Sequence, residues 1–233
     1  IYTASENRLA LQELLPEAII SCYDSYDDNQ LSRLLDWADV VCIGCGLGMG
    51  QISEKILKNV LKNVSCPCVI DADGLNLLSR NIELLNQCCA PVILTPHMKE
   101  MSRLTGWSID TIMEDRFQAL DQIIKQSGPD TKSSIICVLK DSRTVVAQTN
   151  RQKFVNLAGN NSMAKGGSGD VLAGTIAGLL AQHMAPFEAT TVGVFLHACG
   201  GDEAKKSKGS YSVLAKDLIQ GMADAMKNAK ECR

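Results

Sequence analysis

The feature that most constrains this chain is the alternation of short apolar runs with longer amphipathic ones. "DVVCIG" (39–44), "CVIDADG" (68–74), "PVILTPH" (91–97) and "IICVLK" (135–140) read as strands that end in polar or glycine-bearing turns. Between the first two, "QISEKILKNVLKN" (51–63) repeats apolar residues at 52, 56, 57, 60 and 61, the spacing of one helix face. "SENRLALQELL" (5–15) and "LNLLS" (75–79) are shorter helical patterns, and "SIDTIMEDRFQALDQIIKQ" (108–126) predicts one long helix. "TVVAQT" (144–149) and "KFVN" (153–156) predict an antiparallel pair across the polar "NRQ". Helical patterns at 170–183, 185–204 and 214–229 close the chain. Strands and helices that take turns pack as layers, an α/β fold with a mostly parallel sheet. No repeat or linker interrupts the pattern, so residues 1–233 read as a single domain.

The 233 residues are 45% hydrophobic and 21% charged, which fits a globular protein with a full core. There is no apolar run long enough for a membrane span, and the start "IYTASENRLALQ" lacks the zones of a secretory signal. A net charge of −3 without a basic block argues against a nucleic-acid partner. Ten cysteines diluted over this length do not make a secreted disulfide scaffold, so reduced thiols and a cytoplasmic location are expected. Cys42 and Cys45 have C-x-x-C spacing, and Cys66 and Cys68 lie close together. The histidines at 97, 183 and 197 complete no zinc pattern with either pair, and Cys42 sits in an apolar run as a small hydrophobe. No metal ligands are assigned.

The stretch "GNNSMAKGGSGDVLAG" (159–174) carries the chemistry. Helix N-termini leave N–H groups unpaired and favour anions, and glycines let backbone approach a ligand closely. Lys165 to Gly169 therefore read as a phosphate-binding turn, with a helix from Val171. It is not a Walker loop, since G-x-x-x-x-G-K-[ST] is absent. Asp170 would repel a polyphosphate unless it faces the second substrate as a proton acceptor. The plainer reading is that it complements the helix start.

These residues resemble the signature of the ADP- or ATP-dependent NAD(P)H-hydrate dehydratases, a family with a ribokinase-like three-layer sandwich. "IGCGLG" (43–48) resembles that family's IGPGLG, "LTPHMKEMSRLTG" (94–106) its LTPHxxEMxRL block and "DADGLNLL" (71–78) its DADALNLL strand end. The match runs through essentially the whole chain. It is to the dehydratase domain, which in many bacterial members is fused to an epimerase.

The resemblance implies repair of hydrated NADH and NADPH (NADHX and NADPHX), with ADP or ATP as co-substrate and Mg2+ as cofactor. The terminal phosphoryl group goes to the ring hydroxyl, and elimination of phosphate restores the double bond. Asp170 would be the base. Gly46, His97, Met98, Lys99, Glu100, Met101, Ser102 and Arg103 would line the hydrated cofactor together with Asp170. Lys140, Asp141, Ser142, Arg143 and Thr144 would contact the nucleotide. So would Asn160, Asn161, Ser162, Met163, Ala164, Lys165, Gly166, Gly167, Ser168 and Gly169, whose amides would form an anion hole. A homotetramer is implied too. The rival reading is a ribokinase-like kinase for a small vitamin-precursor alcohol, and a third is a nucleotide-binding relic.

Local readings stand beside these roles. Gly46 and Gly48 can form a tight strand-to-helix turn, His97 can satisfy the backbone after Pro96, and Asp71 and Asp73 can cap a loop or help hold magnesium. His183 and His197 lie on apolar helices, where core or surface roles are expected. Two positions depart from the family pattern: Cys45 stands for its proline, and Ser162 for a glycine that would be missed if φ were positive there. Family members begin with about forty further residues carrying a first strand, a glycine-rich substrate loop and a helix, so an apolar sheet edge is expected here. That piece is either a separate chain or residues that precede Ile1.

Overall fold

The computed structural model describes residues 1–125, 134–149, 151 and 153–231. A small parallel pair, β1 (Tyr2–Ala4) and β2 (Ser21–Tyr23), stands apart from a six-stranded sheet. The larger sheet runs in sequence order through β3 (Val41–Ile43), β4 (Cys68–Ile70), β5 (Val92–Leu94), β6 (Ile135–Leu139), β7 (Val145–Gln148) and β8 (Phe154–Val155). β3 to β6 are parallel and the last two strands antiparallel, as the sequence predicts. Asn150 and Gln152 of the linking "NRQ" lie outside the described residues.

Alternate residues of each strand serve opposite layers. Val69, Ile93, Ile136 and Val138 pack against α8 (Ser168–Ala181) and α9 (Pro186–Lys208). Cys68, Ile70, Val92, Leu94, Cys137 and Leu139 face the other layer. That layer holds α3 (Gln51–Asn63), α4 (Ala72–Leu78), α5 (Met98–Thr105), α6 (Ile109–Glu114) and α7 (Arg116–Ile124). The result is a three-layer sandwich with its core on both sheet faces. α10 (Ala215–Glu231) rests on α9 through glycines: a Cβ on Gly200 or Gly221 would strike the opposing helix. Among the described residues no helix is long and apolar enough to cross a membrane.

Two expectations are corrected. The single helix expected over 108–126 is two, broken at Asp115 (φ −142°, ψ 88°), whose carboxylate accepts the Gln118 N–H at 2.9 Å and starts α7. The apolar spacing continues across the break, since Ile112, Ala119, Leu120 and Ile123 are all buried, so periodicity gave no sign of it. Gln126 lies outside the described residues. The pattern from Ser5 begins as a 3-10 turn and becomes α1 (Arg8–Leu14) with no buried residue; α2 (Asp28–Trp37) then buries Leu31 and Leu35.

Candidate active site

The strand ends make one wall of the site. At the end of β3, Gly44 has φ +122°, and a Cβ there would lie 1.8 Å from the Asp71 carbonyl oxygen. Only glycine lets this turn pass over the end of β4. Gly46 (φ +66°) and Gly48 (φ +77°) continue the turn, and the Gly48 N–H donates to Asp73 Oδ2 at 2.8 Å. Asp73 thus braces the loop. Asp71 is 1% exposed and meets Lys140 Nζ at 2.6 Å, with Glu100 Oε2 4.0 Å from the same ammonium. A carboxylate so deeply buried stands only because a cation pairs with it.

His97 opens α5. Its Nδ1 accepts the N–H groups of Lys99 and Glu100, while Glu100 Oε2 accepts the His97 N–H at 2.8 Å, a reciprocal cap. Burial raises the Glu100 carboxyl above its ordinary range, partly offset by the His97 N–H and the Lys140 charge.

The other wall is mostly backbone. Asn160 accepts Ser162 N–H through Oδ1, and its Nδ2 donates to Asp202 Oδ1 on α9 at 2.7 Å. Asp202 Oδ2 also accepts the Gly159 N–H at 3.1 Å. Met163 lies over Gly201, where any Cβ would fall 2.2 Å from its sulfur. The chain then turns through Gly167 (φ +85°), and α8 begins at Ser168, earlier than the expected Val171. The N–H groups of Gly167, Gly169 and Asp170 have no backbone acceptor among the described residues, which is the unpaired helix start that anions favour. Ser168 Oγ lies 3.3 Å from His197 Nε2, and burial holds that imidazole down at about 4, hence neutral at pH 7. Asp170 presents an exposed carboxylate from the first turn.

A cavity of about 920 Å³ joins the two walls. It brings together Lys140, Asp141, Ser142, Arg143 and Thr144 with Asn160, Asn161, Met163, Ala164, Lys165, Gly166, Gly167, Ser168, Gly169 and Asp170, and adds Asp71, His97 and Glu100. Ser162 is buried behind this surface in a 3-10 turn with negative φ, so serine fits where the family has glycine. Six of the residues expected against the hydrated cofactor do not line the cavity. Met101 is fully buried in the core, and Met98 packs against it. Ser102 donates to the Trp107 carbonyl, Arg103 donates to Asn76 Oδ1, and Lys99 points to solvent. A helix offers one face to a ligand, and here that face is His97 and Glu100. Gly46 lies on the neighbouring turn with open space beside it. His183 is exposed at the end of α8.

The core role expected of His197 holds, since it is buried, but sequence reasoning did not anticipate its meeting with Ser168, nor Asp202, which ties the loop from behind, or Asn156. The last is buried against the cavity with its Oδ1 unpartnered, an acceptor left for a ligand. Nor did it foresee the company of Cys45. The ligand atoms of Cys45, Asp71 and Asp170 all lie within 4.8 Å of one another. Cys45 donates to Cys42, which raises its own thiol and lowers that of Cys42; partial desolvation and Asp170 push Cys45 up further. The nine cysteines among the described residues are all free thiols; Cys232 lies outside them.

A parallel sheet with a glycine-rich anion turn opening a helix at its strand ends defines a ribokinase-like protein, as its structural neighbours bear out. Within that class the chain belongs to the NAD(P)H-hydrate dehydratase family, whose model matches residues 1–223. It is 37% identical over 204 residues to a bifunctional NAD(P)H-hydrate repair enzyme of Moorella thermoacetica, covering 88% of this chain and 37% of that protein. The chain thus spans well under half of that relative's length. An ADP-dependent (S)-NAD(P)H-hydrate dehydratase of Neisseria meningitidis is 35% identical over 222 residues, covering 93% of this chain and 73% of its own. The crystal structure of an ADP/ATP-dependent NAD(P)H-hydrate dehydratase from Bacillus subtilis, co-crystallised with ATP and Mg2+, superposes with a TM-score of 0.76 at 26% identity. That match covers 97% of this chain and 78% of the other.

Proposed function

We propose that this chain is a lyase that restores NADH and NADPH from their hydrates, using ADP or ATP. The observation that carries the reading is the exposed Asp170 carboxylate, set in the first turn of α8 beside unpaired amides and across one cavity from His97 and Glu100. In this reading the amides of Gly167 and Gly169 hold the terminal phosphate, with Lys165 and the Lys140–Thr144 segment along the nucleotide. Asp170 takes the proton of the ring hydroxyl as its oxygen attacks phosphorus and the shortened nucleotide departs. The phosphate then leaves with the C–O bonding electrons, the neighbouring carbon loses a proton, and the double bond returns.

Mg2+ suits this site as an ion carried by phosphates. Asp73 gives one oxygen to the Gly48 N–H, while Asp71 keeps Oδ2 beside Gly169 and would be the buried carboxylate nearest such an ion. Mg2+ would offset charge on the phosphates. Free thiols support a reducing, cytoplasmic setting. Exposed Phe195 and Val192 on α9, with Ile219 on α10, supply apolar surface for a homotetramer.

The test is recovery of the reduced-nicotinamide absorbance from hydrated NADH with magnesium and either nucleotide. Nucleotide-dependent recovery is expected. A stable phosphorylated product would replace this reading with the small-molecule kinase, and nucleotide binding without any turnover would replace it with the relic.

A further inference from the structure

We propose that Cys45, Asp71 and Asp170 form a binding site for a thiophilic divalent cation of the Zn2+ type. The cysteine spacing alone suggests no such site, because no histidine completes it. The fold completes it with carboxylates from two other elements. Asp71 ends β4, Asp170 opens α8, and Cys45 lies on the turn after β3. Their ligand atoms already lie within 4.8 Å of one another.

A tetrahedral zinc with Zn–S of about 2.3 Å and Zn–O of about 2.1 Å needs donors roughly 3.5 Å apart. The approach still required is small, and it falls largely on side chains at the surface. Cys45 and Asp170 are exposed side chains, and Cys45 lies between glycines with φ +122° and +66°. Asp71 is held in place by Lys140 through Oδ1, which fixes one carboxylate before any ion arrives.

Binding replaces the Cys45 S–H with an S–Zn bond and releases that proton; water fills the remaining position. Thiolate sulfur selects against Mg2+, which prefers oxygen and retains its waters. The site is therefore distinct in chemistry from the magnesium that travels with a nucleotide. One consequence rests on the reading of Asp170 as the base: a bound ion occupies its lone pair and stops proton transfer.

The experiment uses the full chain, chelator-stripped and kept reduced, titrated with Co2+ alone and then with Zn2+ against a chromophoric chelator. One equivalent of Co2+ with a sulfur-to-cobalt charge-transfer band is expected, displaced by Zn2+ and unaffected by millimolar Mg2+. Cys45→Ser and Asp170→Asn should each weaken Zn2+ binding at least tenfold, with thermal melting showing that both variants remain folded. An unchanged band and affinity in folded Cys45→Ser would assign the metal to other exposed thiols and overturn the proposal. So would the absence of any stoichiometric binding. No hydrated cofactor is used, so a failure here leaves the dehydratase reading untouched, and the reverse holds.

Discussion

The two walls of the cavity are built on different principles. From Gly159 to Gly169 the wall is backbone, shaped by positive φ angles and tied from behind by Asp202, Gly201 and His197. Opposite it, the strand ends present charged side chains that hold one another: Asp71 pairs with Lys140, and Glu100 lies near the same ammonium while accepting the His97 N–H. A backbone wall resists single side-chain losses but not changes of backbone conformation. A wall of paired charges behaves in the opposite way, because removing one partner strands the other in low dielectric. Asp170 is the exception that joins them, a side chain with chemistry delivered by the backbone wall.

Asp170→Asn should therefore cost the most activity, on the order of 10³-fold in kcat, with nucleotide affinity nearly unchanged. Turnover at the original rate would end the assignment of Asp170 as base. On the charged wall, Lys140→Met leaves Asp71 buried and unpaired, and should cost about 3 kcal/mol in denaturant unfolding. The double variant with Asp71→Asn should regain most of that loss. If it regains none, the pair is not what steadies this wall.

His197 tests how the backbone wall is supported. Its folded-state value of about 4 lies below the ordinary 6.5, so the unfolded chain binds the proton more readily. Stability is then full above 6.5 and falls as pH drops toward 4. Between pH 7 and pH 5 this group should remove about 2 kcal/mol, an acid sensitivity that His197→Gln abolishes. Urea titrations of both proteins at the two pH values would settle it, equal slopes counting against a buried neutral imidazole.

Gly167→Ala sets a side chain at φ +85° and should cost about 1–2 kcal/mol. Its nucleotide KM should rise too. Gly166→Ala, which has open space and no positive φ, should be near neutral. Equal effects from the two glycines would contradict the view that conformation shapes this wall. Lys165→Ala should be milder than Gly167→Ala, a few-fold in nucleotide KM, since the exposed ammonium assists amides that remain. A loss as large as that of Asp170→Asn would mean that the cation, not the backbone, holds the phosphate.

Legibility in the sequence follows the same division. Glycines and strand ends are local signals, so the four parallel strands β3 to β6, the antiparallel β7–β8 pair and the glycine-rich turn that opens α8 were readable, whereas β1 and β2 were not. Asp115 was not, because an apolar stripe continues unbroken through the helix break it causes. The block from His97 to Arg103 resembles the family's, yet on a helix only His97 and Glu100 face the cavity while Met101 is core. His197 and Asp202 sit on a helix whose pattern announces only burial, and their partners lie 29 and 42 or 43 positions away. Cys45 and Asp170 are farther apart still. Such meetings belong to the tertiary fold, and no spacing rule contains them.

The hold of Asp202 on Gly159 and Asn160 also bears on tempo. In the proposed reading, a loop anchored to a long helix need not refold when the nucleotide departs. Its ordering entropy is spent once, when the protein folds, rather than at every encounter. That reading expects nucleotide exchange to be set by diffusion and by the rupture of phosphate contacts, with no slow rearrangement in series.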